Sequence, residues 1–422
     1  MKKSLLCMLA IAVCLSALGF SACNVKTYEG EYITDADITA GKTVINDKGF
    51  VQAGGVGRVV ILRGVNLGGW LLQESWMCPV SGEDNEWANL DTIAAFEQRG
   101  FTDSQIAALF QSYQDNWITE ADFDIISRMG CNTVRIPFWY RNFMTDEYGT
   151  WITEDFDLNP GFQRLDWAIE QAAERDMYVI LDMHGVPGGQ SFNHSTGGIG
   201  TNKIYTDSAC QDAMEKLWVA IASRYKDSTA VAAYDIMNEP HNNSSEFADR
   251  PEYKDIWSEE SHNQYNGIYD RMIKAIRKAD DNHMITVEGI WRVENLPLPA
   301  EKGWSNMMYQ LHLYDDTKQF KTLVRDLHKY AAKYDVAPYI GEFSNIDGFG
   351  ICENYGIGWT SWTYKGAKAG QGNWFMYWKD LPVADVIHDS YEEISLKWGE
   401  CLKTSEFNEN RILTDAVKKA AA

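Results

Sequence analysis

From residue 59 onward, short apolar runs recur at intervals filled by amphipathic segments. This alternation limits the possible folds more than any single motif does. The runs are Val59–Asn66, Thr133–Phe138, Tyr178–His184, Ala232–Asn238, Met284–Glu288, Met307–His312, Ala337–Glu342 and Gly358–Trp362. Each is short and rich in apolar residues, so each reads as a buried strand. Between them, segments such as Phe162–Arg175, Ser208–Tyr225 and Ser258–Lys278 repeat apolar residues at helical spacing. Parallel strands need long crossovers, and helices usually supply them. Eight strands joined in this way predict an α/β fold, a single (β/α)8 TIM barrel over residues 43–422.

Two segments sit outside this repeat. Residues 43–52 hold two β runs around Asp47-Lys48-Gly49 and read as a hairpin, expected across the barrel floor. Residues 84–118 read as a helical insertion after the first strand, and the loop at 185–206 is rich in Gly, Ser, Thr and Asn.

The N-terminus reads as a targeting segment. Lys2 and Lys3 precede an apolar run from Leu5 to Phe20, too short for a comfortable membrane span, so residues 1–22 are expected to be a signal peptide. Phe20-Ser21-Ala22-Cys23 resembles the lipobox of bacterial lipoproteins. That resemblance implies a lipid on Cys23 and a tether over residues 23–42, with an ordinary cleavable signal as the alternative. The expected location is beyond the inner membrane, either lipid-anchored at the outer membrane or cell surface, or periplasmic. Cys78, Cys131, Cys210, Cys352 and Cys401 remain in the body. None forms a Cys-x-x-Cys pair, so zinc and thioredoxin-type chemistry lack support. One or two disulfides are possible, and the spacing does not identify them.

A net charge of −22 argues against nucleic acid as a partner, because phosphates select basic patches. It also disfavours attraction to anionic lipid, leaving the N-terminal lipid as the only membrane contact. A neutral polymer such as a glucan meets no such repulsion. The chain also carries 16 Trp, 21 Tyr and 17 Phe. Buried indoles need a hydrogen-bond partner, so this abundance suggests a cleft with flat faces for sugars as well as core packing. Trp70, Trp76, Trp139, Trp291, Trp374 and Trp378 are candidates for such subsites.

Parallel barrels keep their chemistry at the C-terminal ends of the strands. Asn66 and Trp70 follow the first strand, Arg135 the second and His184 the third. Asn238 and Glu239 end the fourth, Glu288 and Trp291 the fifth, and His312 and Tyr314 the sixth. Glu342 ends the seventh and Trp362 the eighth. Any one of these is as readily structural as functional. Together they aim polar or aromatic groups at one mouth from all eight strands. Two glutamates there match the needs of glycosidic bond cleavage, in which one donates a proton and the other attacks or activates water.

Arg135 in Val-Arg-Ile-Pro, His184 in Asp-Met-His-Gly, Asn238-Glu239-Pro240, His312-x-Tyr314, Gly341-Glu342-Phe343 and Trp362 occur in an order that resembles glycoside hydrolase family 5, the cellulase family. The first half is similar to its exo-β-1,3-glucanase branch. The matching pieces are Leu62-Arg-Gly-Val-Asn-Leu-Gly-Gly-Trp-Leu71, Trp117-Ile-Thr-Glu-Ala-Asp-Phe123 and His184-Gly-Val-Pro-Gly-Gly-Gln190. The second half departs: His312-Leu-Tyr314 lacks the branch's longer aromatic run, and Phe343 follows Glu342 where the branch tends to have Trp.

The resemblance implies a retaining double displacement with Glu239 as acid/base and Glu342 as nucleophile. Arg135 and Tyr314 would keep Glu342 ionised, while a less polar setting or the charge of Glu342 would keep Glu239 protonated. Asn238 would hold the sugar 2-hydroxyl, His184 and His312 would bond substrate or carboxylates, and Trp362 would floor the −1 subsite. Trp70 and Trp291 are further binding candidates. The implied enzyme is a monomeric β-glucanase that needs no metal or cofactor. β-1,3-Glucan is the favoured substrate, with a β-1,4 or mixed-linkage endo-glucanase or a mannanase as alternatives. Two other classes compete. A metal-dependent barrel hydrolase would want His-x-His at the first strand end, which reads Val65-Asn-Leu-Gly-Gly-Trp70. A non-catalytic surface glycan-binding lipoprotein would have no need of both glutamates.

Overall fold

The computed structural model describes residues 29–34, 41–83, 87–241, 255–367 and 374–421. The signal peptide, Cys23 and much of the tether expected over 23–42 lie outside the described residues.

Eight parallel strands close into a barrel: β1 (Arg63–Asn66), β2 (Thr133–Trp139), β3 (Tyr178–Gly185), β4 (Val231–Asp235), β5 (Met284–Glu288), β6 (Met307–Leu313), β7 (Ala337–Phe343) and β8 (Gly358–Ser361). Each pairs with its neighbours in chain order, and β8 returns to β1 through Trp359–Arg63 and Ser361–Val65. Helices such as Pro160–Ala173, Ser208–Tyr225, Glu259–Ala279 and Thr317–Tyr334 form the crossovers. The predicted TIM barrel is therefore the fold.

Two strand boundaries differ from expectation. Val59 belongs to a floor strand, Gly57–Val59, and β1 starts only at Arg63. β4 ends at Asp235, so Asn238 and Glu239 sit on the turn beyond it. Glu239 has φ +37°, a left-handed backbone that no strand can hold.

The hairpin of Thr43–Ile45 and Val51–Ala53 forms as expected, with Asn46 Oδ1 accepting from the N–H of Lys48 and of Phe50 in its turn. It joins Gly57–Val59 and Tyr32–Ile33 in a four-stranded sheet. Val51 packs on Val60, Leu62, Ile180, Ala232, Met284 and Ala337, which plugs the bottom of the barrel with apolar side chains. The chemistry is thereby confined to the top.

The insertion after β1 holds helices Asn89–Gln98 and Asp103–Trp117. The C-terminal segment clamps it. Trp398, on the helix Tyr391–Trp398, meets Phe96, Phe110 and Tyr113 at ring distances of 6.0, 5.5 and 5.5 Å and donates its N–H to Pro79 O. Cys78, Cys131, Cys210, Cys352 and Cys401 form no disulfide among the described residues. Among the described residues, no helix is long and apolar enough to cross a membrane.

Candidate active site

Side chains on a strand alternate between faces. Along β3 this puts Asp182 and His184 inside the barrel, as Gln310 and His312 are on β6 and Thr286 and Glu288 on β5. These residues are essentially buried at the top of the barrel. Arg135 lies at their centre, completely buried. Its Nε donates to Asp235 Oδ2 at 2.8 Å, its Nη1 to Glu342 Oε1 at 2.8 Å and Asn66 Oδ1 at 3.0 Å, and its Nη2 to Asn238 Oδ1 at 2.9 Å. Asp182 Oδ2 lies 3.1 Å from Nη2. A planar guanidinium presents its donors in a fixed fork, so Arg135 locks five side chains from four strands into one geometry.

Glu342 accepts at both oxygens, from Arg135 and, at 2.8 Å, from the Tyr314 hydroxyl. Both of its oxygens are thereby engaged by donors. Glu239 has a different environment. His312 Nδ1–H donates to its Oε1 at 2.9 Å, and His241 Nε2 lies 3.7 Å from its Oε2. The expectation of a less polar setting for Glu239 is not met. Burial pushes its carboxyl up, but the hydrogen bonds and charges of His241 and His312 prevail and hold it well below the usual range. Burial likewise opposes a proton on His312, yet the facing carboxylates of Glu288, Glu342 and Glu239 raise the imidazolium to about 9.

His312 Nδ1 also lies 3.6 Å from Glu342 Oε2. With Glu239 Oε1 only 2.9 Å from the same nitrogen, the two glutamates cannot be separated by more than the lower edge of the roughly 6.5–9.5 Å of inverting pairs. Retaining pairs sit at about 5–5.5 Å.

His184 donates from Nδ1 to Asp182 Oδ2 at 2.7 Å, and its Nε2 accepts from Asn238 Nδ2 at 3.4 Å. Burial lowers this imidazole to about 4, so it is neutral. Its ring stacks on Trp362, with centroids 5.3 Å apart and planes at 12°. Tyr314 is half exposed at the rim. Trp291 follows β5 in a left-handed conformation, φ +61°, and is partly buried against the core.

Trp70 is not brought to this cluster. It is buried, donates its N–H to Gln114 O at 2.8 Å and meets Trp167 edge-on, so it fastens the inserted helix to the barrel. Trp139 and Trp374 are also buried; Trp374 meets Trp76 at 5.3 Å.

The sequence reading passed over Asp182, Asp235 and Glu74, and it placed Asn66 at the mouth without a role. Asp182 and Asp235 hold Arg135, and Asn66 donates to Gly341 O at 3.0 Å while accepting from Arg135. The alternation that places His184 inside also places Asp182 inside, and that signal could have found it. Glu74 lies buried after β1 and accepts from Trp76 Nε1 at 2.8 Å. Burial raises its carboxyl to about 8, with the charges of Glu342 and Glu239 adding to the effect. It follows an irregular turn, where periodicity gives no direction. Glu239, Glu288 and His312 place one potential metal ligand each within 4.8 Å of one another. In this structure His312 Nδ1 lies instead at hydrogen-bond distance, 2.9 Å, from Glu239 Oε1.

The loop at 185–206 is fastened over one side of the mouth. Gln190 Nε2 donates to His184 O at 2.7 Å and Asn238 O at 2.8 Å, and the Tyr205 hydroxyl donates to Gln190 O at 2.8 Å. Gly197 lies so close to Trp139 that a Cβ there would sit 2.7 Å from the indole. Residues 185–192 are buried. This is a packed wall.

Comparison with known proteins agrees with this geometry. The profile of the family Cellulase (glycosyl hydrolase family 5) matches residues 85–380. A beta-xylosidase of Phanerodontia chrysosporium is 31% identical over 268 residues, covering 61% of this chain and 49% of that protein. A glucan 1,3-beta-glucosidase of Blumeria graminis is 33% identical over 190 residues, covering 43% and 41%. The chain thus spans half or less of the length of these relatives. The crystal structure of rutinosidase from Aspergillus niger superposes with a TM-score of 0.55 over 74% of this chain and 93% of that one; at 15% identity this speaks to the barrel alone. On the family profile, which covers all but the first of the barrel strands, the chain belongs to glycoside hydrolase family 5, the cellulase family.

Proposed function

We propose that this protein is a retaining β-glycosidase acting on a glucan, with Glu342 as nucleophile and Glu239 as acid/base. The observation that carries this reading is the unequal support of two close carboxyls. One is saturated by Arg135 and Tyr314, and the other shares a titratable proton with His312. Glu342 attacks the anomeric carbon as Glu239 protonates the departing oxygen, and Glu239 then deprotonates the water that releases the sugar. Asn238 holds the 2-hydroxyl, a contact that tightens as positive charge develops on the ring. His184, Trp362 and Glu74 complete the sugar cup.

The packed wall at 185–206 favours a closed pocket, hence exo action that releases single sugars from a chain end. β-1,3-Glucan is the leading substrate, in keeping with the names of several relatives. A β-xyloside is the second reading, because the relative named a beta-xylosidase matches the larger share of the chain. Laminarin, mixed-linkage glucan, carboxymethyl cellulose, glucomannan and xylo-oligosaccharides separate these readings. Glucose alone from laminarin, released first as the β-anomer, is the expected result. A ladder of oligosaccharides, or an α-anomer, would refute it. We place the enzyme beyond the inner membrane on a lipid carried by Cys23. Cys23→Ser is then expected to move it from the membrane to the soluble fraction.

A further inference from the structure

Glu288 plays no part in the two-glutamate chemistry, yet it is completely buried directly beneath it. Its Oε2 accepts the backbone N–H of Glu239 at 2.7 Å. Its Oε1 has no hydrogen-bond partner and lies 3.5 Å from His312 Nδ1. That nitrogen therefore faces three carboxyls: Glu239, Glu288 and Glu342. Behind the ring, His312 Nε2 and Gln310 Oε1 both converge on Gly341, where a Cβ would sit 2.9 and 2.1 Å from them. The three carboxyls gathered at Nδ1 favour the charged imidazolium. The other titratable groups facing the pair are Tyr205, Tyr265 and Tyr269 around Glu288, with Asp182 and His184 around His312.

We propose that Glu288 is a positioning residue for proton donation: its carboxyl clamps the left-handed backbone that aims Glu239, and its charge keeps on His312 the proton that Glu239 must receive. This rests on Glu239 being the acid/base. The proton moves from His312 Nδ1 along the 2.9 Å hydrogen bond to Glu239 Oε1, leaving a neutral imidazole. Glu239 passes it to the leaving oxygen as the glycosidic bond breaks. In the second half, Glu239 takes a proton from the attacking water and His312 recovers it, so the cycle balances. Burial pushes the Glu288 carboxyl up, while the charge of His312, 3.5 Å away, opposes that shift.

The test is E288Q, in which the amide oxygen can still accept the Glu239 N–H but cannot ionise. The alkaline limb of kcat/KM is expected to move to lower pH by about one unit. The rate loss should be several-fold greater for glycosides with poor leaving groups than for a dinitrophenyl glycoside, which needs little protonation. E288D, which keeps the charge but draws back from the N–H, should lower kcat and leave the alkaline limb in place; it also serves if E288Q does not fold. An unmoved limb in E288Q, a shifted limb in E288D, or equal losses for all leaving groups would overturn the proposal. Normal turnover of poor leaving groups by E239Q would instead overturn the acid/base reading beneath it.

Discussion

The two ends of the barrel handle buried charge in opposite ways. At the floor, Arg63 is gripped by Glu29 and Glu353 through four hydrogen bonds of 2.6–2.8 Å. Nearby, Asp280 accepts from the Tyr234 hydroxyl and His283, and His283 Nε2 donates to Ser228 O. Each strong donor in these groups meets a matched acceptor. At the mouth, Arg135 faces Asp182, Asp235 and Glu342 at once, while Asp182 Oδ1, Glu288 Oε1, Gln310 Oε1 and His312 Nε2 stay unpaired. An unsatisfied buried polar atom is costly, so the mouth is not arranged for stability. These buried groups instead surround Glu239 and Glu342. One scaffold thus keeps a saturated network for holding the fold and an unsaturated one for chemistry.

The largest effects are expected at the mouth. Glu342→Gln should lower kcat on the order of 10⁴-fold or more, as loss of a nucleophile does, and azide should not restore it. Glu239→Ala should cost about 10²–10⁴-fold on poor leaving groups, the range of general acid catalysis. Azide should restore turnover of an activated substrate and yield a glycosyl azide. If the two variants respond alike to azide, the division of roles between the glutamates is wrong.

Next come the two arginines, which compare the ends directly. Removing one partner of a buried ion network leaves unpaired charge, a loss of about 3–5 kcal/mol. Arg63→Met and Arg135→Met should both shift the denaturation midpoint. Only Arg135→Met should also abolish kcat; loss of kcat in folded Arg63→Met would break the contrast. Tyr314→Phe removes one donor to a charged group, and kcat/KM should fall by about 1.5–3 kcal/mol of transition-state stabilisation.

pH supplies a finer test. His312 is raised from 6.5 to about 9, so its ion pairing stabilises the fold in full below about 6.5 and is lost as pH rises through about 9. Stability and kcat/KM should decline together there, and His312→Gln should flatten the stability loss. The smallest effect belongs to Glu29→Gln. Its partly exposed side chain should cost at most about 1 kcal/mol, with activity unchanged.

Strand count, parallel topology, floor hairpin and Asn66, Asn238 and Glu342 around Arg135 were legible in the sequence because each rests on a local pattern. A short apolar run marks a strand buried on both faces, and the polar residue at its end marks the mouth. What stayed hidden depends on contacts distant in sequence. Nothing local to Trp70 announces that helix Asp103–Trp117 captures its indole N–H through Gln114 O. The setting of Glu239 was misjudged for the same reason: the donor that controls it, His312, lies 73 residues away. Asp182 and Asp235 read as ordinary strand residues until a common guanidinium joins them. Glu288 looked like one more strand-end carboxyl, and only its hold on the Glu239 N–H distinguishes it.

The most direct test of the central claim is to trap the enzyme with a 2-deoxy-2-fluoro-β-glucoside bearing an activated leaving group and locate the label by peptide mass spectrometry. The account predicts one glycosyl unit per chain, on the peptide carrying Glu342, and none in Glu342→Gln. A label on another residue, or turnover with inversion and no label, would contradict it.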